Sequence, residues 1–213
     1  MYLPKHFAEP GVDVMHDLMR AYPLSTLITL TAEGIEANHI PLLLSAQPGP
    51  FGTLYGHVAR ANPLWREHQK ASEVLAVFSG PNAYISPNWY ATKKEHGKVV
   101  PTWNYAVTHA YGTLRVIDDA VWLRAHLTAL TAHHEANLPQ PWGVEDAPYD
   151  YTEKMITAVV GIEITITRLI GKWKVSQNQP ANNRETVIQA LNTSGEAEAA
   201  CMATLIRTAA EKG

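Results

Sequence analysis

Only one cysteine, Cys201, occurs in 213 residues. A disulfide framework is therefore excluded, as are a cysteine-based zinc finger and an iron–sulfur cluster. The thiol lies in an alanine-rich stretch with no histidine nearby, which predicts a packed side chain rather than a nucleophile. Basic excess is missing too: 17 basic residues face 20 acidic ones, for a formal net charge of −3. That balance offers nucleic acid no global attraction. No apolar run approaches the roughly 18 residues of a membrane-crossing helix. The opening Met1–His6 lacks a basic segment followed by a long apolar core. The chain thus reads as a soluble, cytoplasmic protein.

Several catalytic and phosphate-binding signatures are also absent. There is no GxGxxG, no GxxxxGK[ST], no HExxH and no GxSxG, which disfavours a Rossmann site, a P-loop, a zincin and a nucleophile elbow. Ten histidines are present but scattered. The densest group, His133-His134-Glu135, puts adjacent side chains about 100° apart on a helix, so it reads as a solvated helix end and no metal site is expected.

What is present describes an ordinary globular protein. The apolar share is 46%, and a chain of this length buries roughly 70% of its unfolded surface. The Gly/Pro clusters at 47–52 and 139–143 are too short for interdomain linkers, so one domain is expected. It comprises a barrel with helices over about residues 1–175 and a helical extension over about 180–213.

Periodicity predicts a helix over Val12–Tyr22 and strands over Leu24–Thr31 and Ile35–Leu44, joined by a hairpin turn at Ala32-Glu33-Gly34. Phe51–Ala59 reads as a strand, Pro63–Lys70 as a short helix and Ser72–Ser79 as a strand. Ser79–Asn82 reads as a turn before a short strand at Ala83–Ser86, and Trp89–Gly97 as a loop. Val99–Ile117 is a long strand. Asp118 and Asp119 open a helix to about Glu135. A short helix over Tyr151–Val159 precedes the clearest strand, Gly161–Leu169, where Ile162, Ile164 and Ile166 alternate with polar residues. Asn182 with Glu185, and Thr193 with Glu196, match N-caps for two last helices, Arg184–Leu191 and Glu196–Ala210. The sum is a mainly β fold with helical additions: a mostly antiparallel β-barrel with two C-terminal helices.

Three segments mix aromatic, amide, hydroxyl and cationic residues. They are Leu54–Pro63, the pair Tyr84–Tyr90 with Val100–Tyr105, and Gly171–Asn178. Arg60, Lys172 and Lys174 can neutralise a phosphate. Ser176, Gln177, Asn178, Thr102 and Asn104 can bond a polyhydroxylated chain. Trp89, Trp103 and Trp173 can cover a flat ring. Phosphate, polyol and ring describe flavin mononucleotide (FMN) well, and pyridoxal phosphate or a nucleotide somewhat less well. The bland alternative is that the tryptophans fill a core and the lysines are a solvated strand end. Lys172 and Lys174, one residue apart, share a strand face, which suits a joint anion contact.

At these residues the chain resembles the PaiB-type family, described as FMN-binding negative transcriptional regulators. The resemblance rests on Met1–Phe7, His39–Leu44, Gly56–Pro63, Phe78–Tyr90, Val100–Tyr105 and Lys174–Asn178, in order along nearly the whole chain. It implies a split β-barrel like that of pyridoxamine-phosphate oxidases and flavin reductases, a homodimer, and flavin sites at the subunit interface. It implies further that Arg60, Ala61, Asn62 and Lys174 lie near the phosphate, and His39, Pro41 and Leu42 along the ring. Thr102, Trp103, Asn104 and Tyr105 lie on a neighbouring strand, and Ser176 and Gln177 reach from the partner subunit. The family title conflicts with the charge pattern, because neither a basic run nor a helix-turn-helix is evident, and direct DNA binding is not expected. Two alternatives stay open. One is a flavin-dependent oxidoreductase, with His39, His57 or Tyr105 assisting proton transfer. The other is a flavin-free interaction module or haem-binding barrel.

Overall fold

The computed structural model describes residues 1–68 and 72–211. Its eight strands are β1 (Ala8–Glu9), β2 (Leu24–Thr31), β3 (Gly34–Pro41), β4 (Leu43–Ser45), β5 (Thr53–Ala59), β6 (Val74–Ile85), β7 (Thr102–Ile117) and β8 (Val159–Lys174). They hydrogen-bond in the order β3-β2-β6-β7-β8-β5-β4, with β1 on β8. The pairings of β1 with β8, β2 with β3 and β6, and β5 with β4 and β8 are antiparallel. Among the described residues the α-helices are α1 (Val12–Ala21), α2 (Leu64–Glu67), α3 (Lys93–His96), α4 (Ala120–Glu135), α5 (Tyr149–Thr157), α6 (Ala181–Thr193) and α7 (Ala197–Glu211). The fold is mainly β with helical additions, as the periodicity predicts. No helix among the described residues is long and apolar enough to cross a membrane.

The chain divides into two compact units. The first holds residues 1–18, 79–108 and 170–213, and the second residues 19–78 and 109–169. In the second unit the β2–β3 hairpin pairs Leu24 with Pro41 through Thr31 with Gly34. The alternation of Leu27 and Thr29 against outward residues buries one face of β2. Gly34 closes the hairpin at φ +127°, a conformation that favours glycine. Leu54, Val58, Ile162 and Ile164 form part of this unit's core, along the antiparallel β5–β8 pair. In the first unit α6 and α7 bury Val187, Leu191, Met202 and Ile206. That apolar stripe is what holds two short helices in place.

Several expected boundaries change. Ser79–Asn82 is not a turn, because β6 runs straight through it to Ile85. Gly80 is there for closeness: a Cβ would meet Leu18 Cδ1 at 2.7 Å and the Ala106 carbonyl at 3.3 Å. Gly80 and Pro81 are both buried, so the in–out alternation shifts phase there. Ile35–Leu44 is two strands, broken at Leu42, whose N–H donates to the Pro23 carbonyl. Trp89–Gly97 carries a 3-10 turn (Pro87–Trp89) and α3 rather than plain loop. The helix expected to end at Lys70 is seen only as α2, and Lys70 lies outside the described residues. Asn182 and Thr193 are not N-caps. Pro180 precedes α6, and the Thr193 hydroxyl donates back to the Gln189 carbonyl, while Ser194 Oγ accepts from the Glu196 N–H. Cys201 is exposed, not packed.

Candidate functional site

The first unit gathers seven of the thirteen residues that the resemblance singles out. Strand alternation at the end of β8 sends Lys172 and Lys174 to one face and Trp173 to the other. Lys172 is buried, and its Nζ donates to the Tyr2 carbonyl at 3.1 Å while lying over the rings of Tyr105 (5.2 Å) and Tyr2 (5.8 Å). Lys174 Nζ donates to Thr102 Oγ1 and to the Trp103 carbonyl. Burial, and then the neighbouring Lys172 ammonium, hold the Lys174 pKa below its ordinary value. Among the described residues neither ammonium has an ion-pair partner. Two buried or half-buried cations without a carboxylate call for an anion.

Beside them, buried Asn104 donates from Nδ2 to Ser176 Oγ at 2.8 Å. Ser176 holds φ +64°, the one positive φ outside glycine among the described residues. Such a backbone costs on the order of 1–3 kcal/mol and persists where the surroundings over-determine it. Here the Asn104 bond does so together with Gln177, whose Oε1 accepts from the Val175 N–H at 2.8 Å and whose Nε2 donates to the Trp173 carbonyl. Trp103 is 54% exposed and meets Tyr84 edge-on at 6.2 Å. The unit thus sets an unneutralised lysine pair on β8 and an open aromatic pair on β6 and β7.

The second unit holds the other six. His39 and Pro41 are exposed on β3, and Leu42 is buried beside Gly56, where a Cβ would meet its Cδ2 at 2.6 Å. The Arg60 guanidinium is already engaged. Nη1 and Nη2 donate to the Asp118 carboxylate at 3.0 and 2.6 Å, Nε donates to the Thr157 carbonyl at 2.7 Å, and Nη2 also donates to the Val159 carbonyl at 3.0 Å. This pairing holds the Asp118 carboxyl below the usual range. Ala61 is exposed. Asn62 donates to Asn38 Oδ1 and accepts from the Leu64 N–H at the start of α2, so its amide is spent on the scaffold.

The second unit also holds a cluster that was not legible as a cluster. His57 Nδ1 and His126 Nε2 lie 3.2 Å apart, and Trp122 stacks on His126 at 5.2 Å. Burial holds both imidazoles below their ordinary pKa, and His126, which also feels His57, falls to about 4. The available signal was Trp122 and His126 at i, i+4 on one helix face. Among the described residues no three His, Cys, Asp or Glu side chains gather as a metal set.

A family model described as "Putative FMN-binding domain" matches residues 1–168. An uncharacterized protein of Emericella nidulans is 34% identical over 99% of this chain and 98% of its own length. Protease synthase and sporulation protein PAI 2 of Bacillus subtilis is 28% identical over 100% of this chain and 99% of its own. The flavocytochrome Anf3 from Azotobacter vinelandii matches with a TM-score of 0.57 at 12% identity, covering 81% of this chain and 72% of that one. That likeness concerns the fold, a mostly antiparallel split β-barrel with helices. The chain belongs to this FMN-binding-domain family, the PaiB type whose motifs it carries from Met1 into the last strand.

Proposed function

We propose that the protein binds FMN as a homodimer with the flavin at the subunit interface, and that any regulatory role it has does not pass through direct DNA contact. The observation that carries the reading is the lysine pair: Lys172 and Lys174 have no carboxylate partner among the described residues and stand beside Asn104 and Ser176. In this reading the two ammoniums take the phosphate, while Thr102, Asn104 and Ser176 take the ribityl chain. Trp103 and Tyr105 border the ring. Arg60 goes to the scaffold instead, because four of its donor contacts are spent on Asp118 and two carbonyls. His39, Pro41, Leu42, Ala61 and Asn62 lie in the second unit and enter as single-site variants to be titrated alongside.

The family description supports FMN over another flavin. Homodimerisation is supported by the apolar surface the first unit leaves open, with Val100 73% and Trp103 54% exposed. The net charge of −3 supports the absence of direct DNA contact. Bound flavin would supply electron transfer, and the protein would bind and orient it. Titration of the purified protein with FMN, followed by flavin absorbance and fluorescence, together with sedimentation to read the mass, tests the reading. Stoichiometric flavin binding by a dimer supports it. A protein that ignores added FMN, or a monomer that binds it fully, refutes it.

A further inference from the structure

The face of β8 opposite the lysine pair borders a cavity of about 730 Å³ within the first unit. That size falls inside the roughly 300–1,000 Å³ of small-molecule pockets. Trp173 and Val175 form one apolar wall, and Leu205 and Ile206 of α7 another. Because Trp173 projects away from Lys172 and Lys174, neither lysine lines this cavity.

Two side chains of opposite charge stand on its wall, Glu9 and Arg184. They do not pair with each other or with any other charge among the described residues. Glu9 Oε1 accepts only the Gly11 N–H at 2.8 Å, which leaves its second oxygen for a donor. Arg184 spends one Nη1 donor on the Gln179 carbonyl at 2.9 Å, which leaves most of its planar fork for a carboxylate. An apolar cavity that presents an unpaired anion and an unpaired cation favours a ligand carrying both charges on a hydrophobic body. A ligand lacking either charge leaves one protein charge desolvated and unmatched.

We propose that this cavity is a second ligand site, distinct from the lysine-pair face, for a zwitterionic amino acid or dipeptide with a bulky apolar side chain. The ligand's carboxylate meets Arg184, its ammonium meets Glu9, and its side chain lies on Trp173 and Leu205. Gln177, which the resemblance assigns to the flavin, also lines this cavity.

Calorimetric titration with L-phenylalanine and with phenylalanyl-phenylalanine tests it, against 3-phenylpropionate (no amine) and phenethylamine (no carboxylate). At least one zwitterion should bind about tenfold or more tightly than either single-charge analogue, the order of one charge-assisted hydrogen bond. Arg184→Met should erase the preference over phenethylamine, Glu9→Gln that over 3-phenylpropionate, and Ala209→Trp, which fills the cavity, should abolish the heat. Cooperative thermal unfolding should be retained in all three, which shows that they are folded. No heat from either zwitterion at millimolar concentration, equal affinity for the analogues, or full binding by Ala209→Trp overturns the proposal.

Discussion

Acid should weaken this fold through the histidine pair of the second unit. His126 is 6% exposed, touches His57 at 3.2 Å and carries Trp122 on its ring. Its pKa falls from 6.5 in the unfolded chain to about 4 in the folded one. Between those values the unfolded state binds a proton that the folded state refuses, so stability must decline as pH falls. The contribution is fully present above pH 6.5 and is drawn down toward pH 4. At about 1.4 kcal/mol per unit, the loss at the lower end is at most about 3 kcal/mol. The His57 pKa is lowered too, so the second ring adds in the same direction. Urea unfolding of the native protein and of His126→Gln, each measured across this window, isolates the effect. The variant starts from a different baseline, so the informative quantity is the difference in slope. The native protein should lose up to about 3 kcal/mol more than the variant. Parallel pH profiles would refute the assignment of acid sensitivity to this buried pair.

Other substitutions probe separate contacts in the fold. Gly112→Ala should destabilise by about 1–3 kcal/mol in thermal unfolding, because the new methyl would lie 2.3 Å from the Thr165 carbonyl oxygen, which cannot move aside. Ser176→Ala leaves the buried Asn104 amide without its acceptor and should cost about 1–3 kcal/mol, read by denaturant titration. Arg60→Ala should lower the melting temperature, since it removes the contacts to Asp118, Thr157 and Val159, yet leave FMN affinity within about twofold. Asp118→Ala should do the same, with a smaller thermal effect.

The parts of the fold that could be read from the sequence are those set by local pattern. The Ile162–Ile164–Ile166 alternation and the Ala32-Glu33-Gly34 turn state their own structure, because period and turn chemistry act over a few residues. Asp119 is the N-cap of α4, accepting from the Trp122 N–H at 2.7 Å. Gly80-Pro81 misled, because the same dipeptide that breaks strands also permits close packing, and only the distant Leu18 and Ala106 decide which applies. The two supposed caps failed by one or two residues: Pro180 rather than Asn182 precedes α6, and Ser194 rather than Thr193 accepts from the Glu196 N–H. At the candidate site, the shared face of Lys172 and Lys174 follows from strand periodicity alone. The commitment of Arg60 to Asp118, 58 residues away, does not. The same holds for the meeting of His57 with His126, and of Asn104 with Ser176, because sequence spacing carries no trace of a pairing made by tertiary packing.

In the proposed site the lysine pair, and not Arg60, holds the anionic end of a flavin. FMN titration of the native protein beside Lys172→Ala, Lys174→Ala and Arg60→Ala addresses it directly. A charge-assisted contact is worth about 1.5–3 kcal/mol, so each lysine variant should weaken FMN binding roughly 10- to 150-fold, while Arg60→Ala binds as the native protein does. Native affinity in both lysine variants, or a loss confined to Arg60→Ala, would contradict this assignment of the phosphate to the lysines.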